Sequence, residues 1–152
     1  MRRLPIFLLG LLMAGLTSCT RDIVYSRFVS IPTGEWHADS VPTFTYTIDD
    51  TADSYQMLIY IRHTERYPYQ NMWLFVDEAT QRDTIEFYLA DDRGKWLGDR
   101  HHGFIEMPVL YEAERHFGDT GTYTLQIAHG MRDSVLRGVM DVGVEIKVKS
   151  ER

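Results

Sequence analysis

Asp141-Val142-Gly143-Val144-Glu145-Ile146-Lys147-Val148-Lys149 is the stretch on which the fold turns. Val142, Val144, Ile146 and Val148 fall on one side of an extended chain, with Asp141, Gly143, Glu145, Lys147 and Lys149 on the other. That is the alternation of a strand that buries one face. The same period of two recurs upstream. Phe44, Tyr46 and Ile48 alternate with Thr43, Thr45 and Thr47; Ile85, Phe87 and Leu89 with Thr84, Glu86 and Tyr88; Tyr123, Leu125 and Ile127 with Thr122, Thr124 and Gln126. Residues 57–61 and 72–76 are apolar on both faces, as in the middle strands of a sheet covered on both sides. Turn chemistry separates these runs at Asp49-Asp50, Tyr67-Pro68, Gln81-Arg82-Asp83, Asp91-Asp92-Arg93-Gly94, Gly118-Asp119 and Gly130.

Seven to eight short strands so spaced describe an all-β fold, an antiparallel β-sandwich, immunoglobulin-like or alternatively a jelly roll. Asp119-x-Gly121-x-Tyr123 resembles the tyrosine corner of immunoglobulin-like sandwiches, although a plain turn before a strand fits it as well. On the corner reading Leu125 takes the place of the second cysteine and Trp73 supplies the aromatic residue of the facing strand. Residues 108–117, with Leu110, Ala113 and Phe117 at helical spacing after Pro108, are expected to form a loop with at most two helical turns.

The N-terminal end reads differently. Arg2 and Arg3 precede an apolar run from Leu4 to Leu16, too short to span a bilayer and of secretory-signal length. Leu16-Thr17-Ser18-Cys19 follows and has the form of a bacterial lipobox, with Cys19, the sole cysteine, as the residue that carries the acyl chains. Residues 1–18 are accordingly a signal peptide, 19–34 a lipidated segment lying against the domain edge, and 35–152 one β-sandwich domain. Loss of Arg2 and Arg3 from the 16 basic residues leaves 14 against 22 acidic ones, a formal charge of −8. An acidic, evenly distributed charge of this kind speaks against nucleic acid. Thr20 after the cysteine, rather than Asp, favours the outer membrane, and Arg21-Asp22 lacks an acidic export cluster, which favours a domain facing the periplasm.

Catalytic patterns are missing from the sequence. An acylated Cys19 is no nucleophile, and none of Ser26, Ser30, Ser40, Ser54, Ser134 and Ser150 stands in Gly-x-Ser-x-Gly. The acid pairs Asp49/Asp50 and Asp91/Asp92 sit in polar turns. His101 and His102, with Glu112, Glu114 and His116 downstream, lack metal-ligand spacing, and His63-Thr64-Glu65 offers two alternating ligands without a third. No enzyme activity, cofactor or metal is expected. Aromatic residues are the better lead: Trp36, Trp73, Trp96 and nine tyrosines, concentrated in Arg66-Tyr67-Pro68-Tyr69-Gln70-Asn71-Met72-Trp73. Tyrosine beside arginine in a loop has the composition of a binding surface, with Arg66, Tyr67, Tyr69 and Asn71 as the docking residues of a hairpin. The same rings could instead cap the open end of the core.

The lipobox, residues 66–74, the stretch Leu89-Ala90-Asp91-Asp92-Arg93-Gly94-Lys95-Trp96-Leu97-Gly98, Gly121-Thr122-Tyr123, Met131-Arg132, and Leu136-x-Gly138-Val139-Met140-Asp141-Val142-Gly143-Val144 together resemble the gliding-motility lipoprotein GldH family of the Bacteroidota. The resemblance implies an envelope lipoprotein without enzymatic activity, working with other envelope proteins of the adhesin-moving machinery and its associated type IX secretion. Family members occur also in bacteria that do not glide. The alternative reading of the residues is a lipid-anchored glycan-binding module that stacks sugars on exposed Trp or Tyr rings, which would need such rings together on one sheet face.

Overall fold

The computed structural model describes residues 22–79 and 81–149; Cys19 and the leader before it lie outside the described residues. Eleven strands follow in chain order: β1 (Ile23–Ser30), β2 (Glu35–His37), β3 (Thr43–Ile48), β4 (Tyr55–His63), β5 (Asn71–Glu78), β6 (Gln81–Tyr88), β7 (Asp99–His101), β8 (Phe104–Arg115), β9 (Gly121–His129), β10 (Val135–Arg137) and β11 (Val139–Val148). The all-β expectation holds, with more strands than the seven or eight expected. Three of them, β2, β7 and β10, have three residues each and are too short to show a period.

All pairings are antiparallel. One sheet has the order β1-β11-β4-β8-β7, the other β3-β9-β5-β6, and β2 pairs with β10 in a small ribbon. Along the chain, β1, β4, β8 and β11 fall in the first sheet and β3, β5, β6 and β9 in the second, and this winding is that of a jelly roll. An immunoglobulin-like path would set the last strand beside the corner strand β9. Instead β9 has β3 and β5 for neighbours, and β11 inserts between β1 and β4 in the opposite sheet. The corner bond nevertheless forms, the Tyr123 hydroxyl donating to the Asp119 carbonyl at 2.6 Å. Spanning four residues, such a bond is local and does not specify connectivity.

The core lies between the sheets. Phe44, Tyr46 and Ile48 of β3, Met72, Leu74 and Val76 of β5, and Leu125 and Ile127 of β9 point inward from one sheet; Met57, Ile59 and Ile61 of β4 and Val142, Val144 and Ile146 of β11 point inward from the other. At about 25 cal/mol per Å² of apolar surface, each such side chain contributes roughly 1.5–3 kcal/mol. With Met72, Leu74 and Val76 turned in, Trp73 must turn out and is 38% exposed; the fully buried tryptophan is Trp36 on β2.

Residues 108–117 are not a loop with helical turns, since most of them continue β8. Two bulges in the β4–β8 pairing, between Tyr55/Met57 and Met57/Leu58, each add a residue to β8 and break its alternation into something near helical spacing. Pro108 is tolerated because β7 pairs only as far as Glu106, which leaves one edge of β8 open from there on.

β1 runs as the edge strand along β11, with Ile23 opposite Lys147 and Ser30 opposite Asp141. The described chain therefore begins at the end of the sandwich that holds Tyr55 and Val148, while His63 and Val139 mark the far end.

Candidate functional site

At that far end, residues 64–70 join β4 of one sheet to β5 of the other. They form an intersheet connection and not the hairpin expected, because the strands on either side belong to different sheets. Hydrogen bonds hold it throughout. Thr64 N–H donates to Gly138 O (2.8 Å), Tyr67 N–H to Thr64 O (3.1 Å), and Gln70 O accepts from Leu89 N–H (2.7 Å) and Ala90 N–H (3.1 Å). Gly138, at φ +84°, lets the connection lie against it, since a Cβ there would collide with the backbone of Arg66 and Tyr67.

The four residues singled out from sequence do not share one surface. Tyr67 is 3% exposed, packs edge-on to Trp96 and Tyr69, and donates its hydroxyl to Asn71 O at 2.7 Å. It anchors the connection from inside and offers no contact area; burial pushes its phenol pKa up. Arg66 is exposed, and among the described residues it has no ion-pair partner within 4.0 Å. Tyr69 is exposed and its hydroxyl meets Asp133 Oδ2 at 2.5 Å, while Asn71 Nδ2 donates to Glu86 Oε1 at 2.6 Å.

Three depressions flank this ridge. One of about 380 Å³ lies between Arg66, Pro68, Asp133 and Arg137. A second, of about 370 Å³, is bounded by Thr64, Arg66, Arg100 and Phe104. A third, of about 330 Å³, is lined by Tyr69, Asn71, Trp73, Gly130, Met131 and Arg132. Trp96 is not part of an open face, being half-buried and edge-on to His63 at 4.8 Å.

His63 and His129 lie under the ridge, fully and almost fully buried. His63 Nδ1 stands 3.1 Å from Thr64 O and His129 Nε2 3.1 Å from Trp36 O. A carbonyl can only accept, so these two nitrogens each carry a proton. Their other nitrogens are buried without a partner among the described residues. Burial lowers both pKa values, against the pull of the carbonyl bonds.

The remaining candidates are scattered. His63 turns inward, but Glu65 turns out to Arg100 at 2.7 Å. His101 stacks on Phe104 at the start of β8, whereas Glu112 pairs with Arg115, and Glu114 with His116, at its other end. Eight residues of strand separate Phe104 from Glu112, about 25 Å. Among the described residues no three His, Cys, Asp or Glu side chains converge as a metal site. Asp91 Oδ1 accepts from the backbone of Arg93 and Lys95, and Asp50 Oδ1 from Ala52, so these acids cap turns.

Fold and surface define a jelly-roll sandwich whose irregular chemistry is gathered at one pole, on a rigid connection between the sheets. The chain belongs to the GldH lipoprotein family, whose family model matches residues 23–146. It is 29% identical over 146 residues to the gliding motility lipoprotein GldH of Flavobacterium johnsoniae, covering 88% of this chain and 90% of that protein. To the gliding motility lipoprotein GldH homolog of Christiangramia forsetii it is 31% identical over 143 residues, 86% of this chain and 87% of that one.

Proposed function

We propose that this chain is a non-catalytic lipoprotein of the gliding-motility type, anchored in the cell envelope through Cys19, that works by docking other envelope proteins of that machinery. Each buried methylene of an acyl chain contributes about 0.8 kcal/mol, so two or three chains hold the domain permanently at a membrane. The outer membrane, with the domain in the periplasm, is the placement that Thr20 and Arg21-Asp22 favour. Confinement there raises the effective concentration of the domain towards membrane-bound partners.

The observation that carries the docking reading is the position of the ridge. Three residues from Cys19 to Asp22 reach at most about 10 Å, and Asp22 lies beside Val148, whose N–H donates to its carbonyl. The nine residues of β4 put residues 64–71 about 30 Å further on. A rigid ridge bearing Arg66 and Tyr69 thus stands at the membrane-distal end, and because it is already ordered it loses little entropy on binding. The test is the double substitution Arg66→Ala/Tyr69→Ala in affinity purification from intact envelopes. Hot-spot truncation costs about 2 kcal/mol or more, roughly thirtyfold in affinity. The expected outcome is loss of partner recovery with an unchanged melting curve; recovery at the wild-type level would remove the ridge as the interface.

A further inference from the structure

Beside the ridge lies a group of side chains outside the core, of which the docking reading uses only Asn71. In the β5–β6 register Asn71 stands opposite Tyr88 and Trp73 opposite Glu86. All four project from the outer face, because the residues between them, Met72 and Phe87, point inward. They form a two-by-two block with rings on one diagonal and an amide hydrogen-bonded to a carboxylate, at 2.6 Å, on the other. Trp73 is 38% and Tyr88 54% exposed, an unusual amount of bare aromatic surface for two neighbouring positions.

We propose that this block, together with the 330 Å³ depression on the other side of Trp73, is a binding site for a neutral chain of β-linked pyranose sugars. In a β-1,4-linked chain the hydroxyls lie equatorially around each ring and the axial C–H bonds cover its two faces. Those faces are the electropositive complement of the negative faces of indole and phenol rings. The rim hydroxyls need fixed acceptors and donors beside the platform. Asn71 Oδ1 and Glu86 Oε2, both without a partner among the described residues, supply acceptors, and Arg132, exposed and unpaired among them, supplies donors.

The site is held ready rather than assembled on binding. The Trp73 N–H donates to Met131 Sδ at 3.3 Å, and Trp73 O accepts from Gly130 N–H at 2.7 Å. A side chain at Gly130 would press on Trp73 Cβ and the Phe75 ring at 3.2–3.3 Å, so glycine there keeps the platform in place. Diagonal neighbours on a sheet stand about 7–8 Å apart, further than one sugar ring covers, which selects a chain over a monosaccharide. Glu86 and the nearby Asp133 select a neutral chain over an anionic one.

The site borders the docking surface and shares Asn71 and Tyr69 with it, but the rings that carry the proposal, Trp73 and Tyr88, belong to this site alone, and the test reads them. Trp36 is fully buried and Trp96 half-buried, so changes in tryptophan emission report Trp73. Full-length mature protein in detergent is titrated with cellohexaose and with chitohexaose, followed by emission and by calorimetry. At least one hexasaccharide should bind saturably with a shift in emission. Trp73→Ala and Tyr88→Ala should each weaken it about tenfold, equal to about 1.4 kcal/mol, with unchanged melting curves because both rings face outward. Trp73→Tyr, which keeps a ring, should retain most of the affinity, and Arg66→Ala all of it. Absence of binding of either sugar at millimolar concentration overturns the proposal. So does binding undiminished in Trp73→Ala and Tyr88→Ala, including the case in which those variants instead lose an envelope protein, making the face a protein interface.

Discussion

Individual residues near the ridge do structural work that their types alone do not reveal. His63 and His129 are held towards the neutral form because burial opposes their protonation and one nitrogen of each lacks a partner among the described residues. An unfolded histidine titrates near 6.5. Since the folded-state values are lower, the unfolded chain takes up protons first. The stability these residues allow is complete above about pH 6.5 and is lost as pH falls through the folded values. The linkage slope is at most about 1.4 kcal/mol per pH unit for each histidine. Asp77, Asp83 and Glu114, held low by hydrogen bonds from Arg82, Tyr111 and Lys149 in turn, stay ionised across this window. The melting temperature should therefore fall between pH 7.5 and 5.5. His63→Gln should make that fall shallower; an identical slope would assign the acid sensitivity elsewhere.

At the scale of the element, the pairing of β1 with β11 depends on one missing side chain. Phe28 lies opposite Gly143, and a Cβ on Gly143 would come within 2.5 Å of its ring. The same ring packs on Tyr60 at 5.7 Å and carries the Arg62 guanidinium 3.7 Å above its centre, with Arg62 bonded to Glu106 at 2.6 Å. Glycine weakens a strand by itself but is the residue required where another group approaches the backbone closely. Gly143→Ala should displace Phe28 and cost about 1–3 kcal/mol in a denaturation midpoint, as overpacking does. Combined with Phe28→Ala, the alanine at 143 should cost little more than Phe28→Ala alone. Strict additivity in that double-mutant cycle would show that the two residues do not contend for the same space.

For the molecule as a whole, the two poles differ in what they carry. The chain enters the sandwich at the pole of Asp49, Asp50, Asp53 and Glu114, and the ridge and the aromatic platform stand at the opposite one. If Cys19 carries the anchor, the entering pole faces the membrane and both proposed recognition surfaces face away from it. Cys19→Ser should then leave either soluble protein or unprocessed precursor, read by fractionation and by intact mass. Finding the variant in the membrane fraction at its processed mass would remove Cys19 as the point of attachment.

The identity of the regularly alternating strands needed no tertiary structure. In β3 and β9 one face is buried and the other solvated, so the alternation of Phe44-Thr45-Tyr46 or Leu125-Gln126-Ile127 is itself the physical constraint that makes a strand. Family membership was legible for a related reason, as ordered motifs survive in the sequence whatever their contacts. Three things were decided only by the folded chain. The two bulges that hid β8 exist in the pairing with β4 and not in β8 alone. Jelly roll over immunoglobulin-like winding depended on which strand β11 pairs with, and antiparallel edges of similar apolarity do not distinguish partners until both sheets have closed. The split of residues 66–71 into an inward Tyr67 and outward Arg66 and Tyr69, and the pairing of Trp73 and Tyr88 on one face, came from the crossing between sheets and the β5–β6 register. Composition marks such rings as available for burial or for binding, and only the packing around them determines which it is.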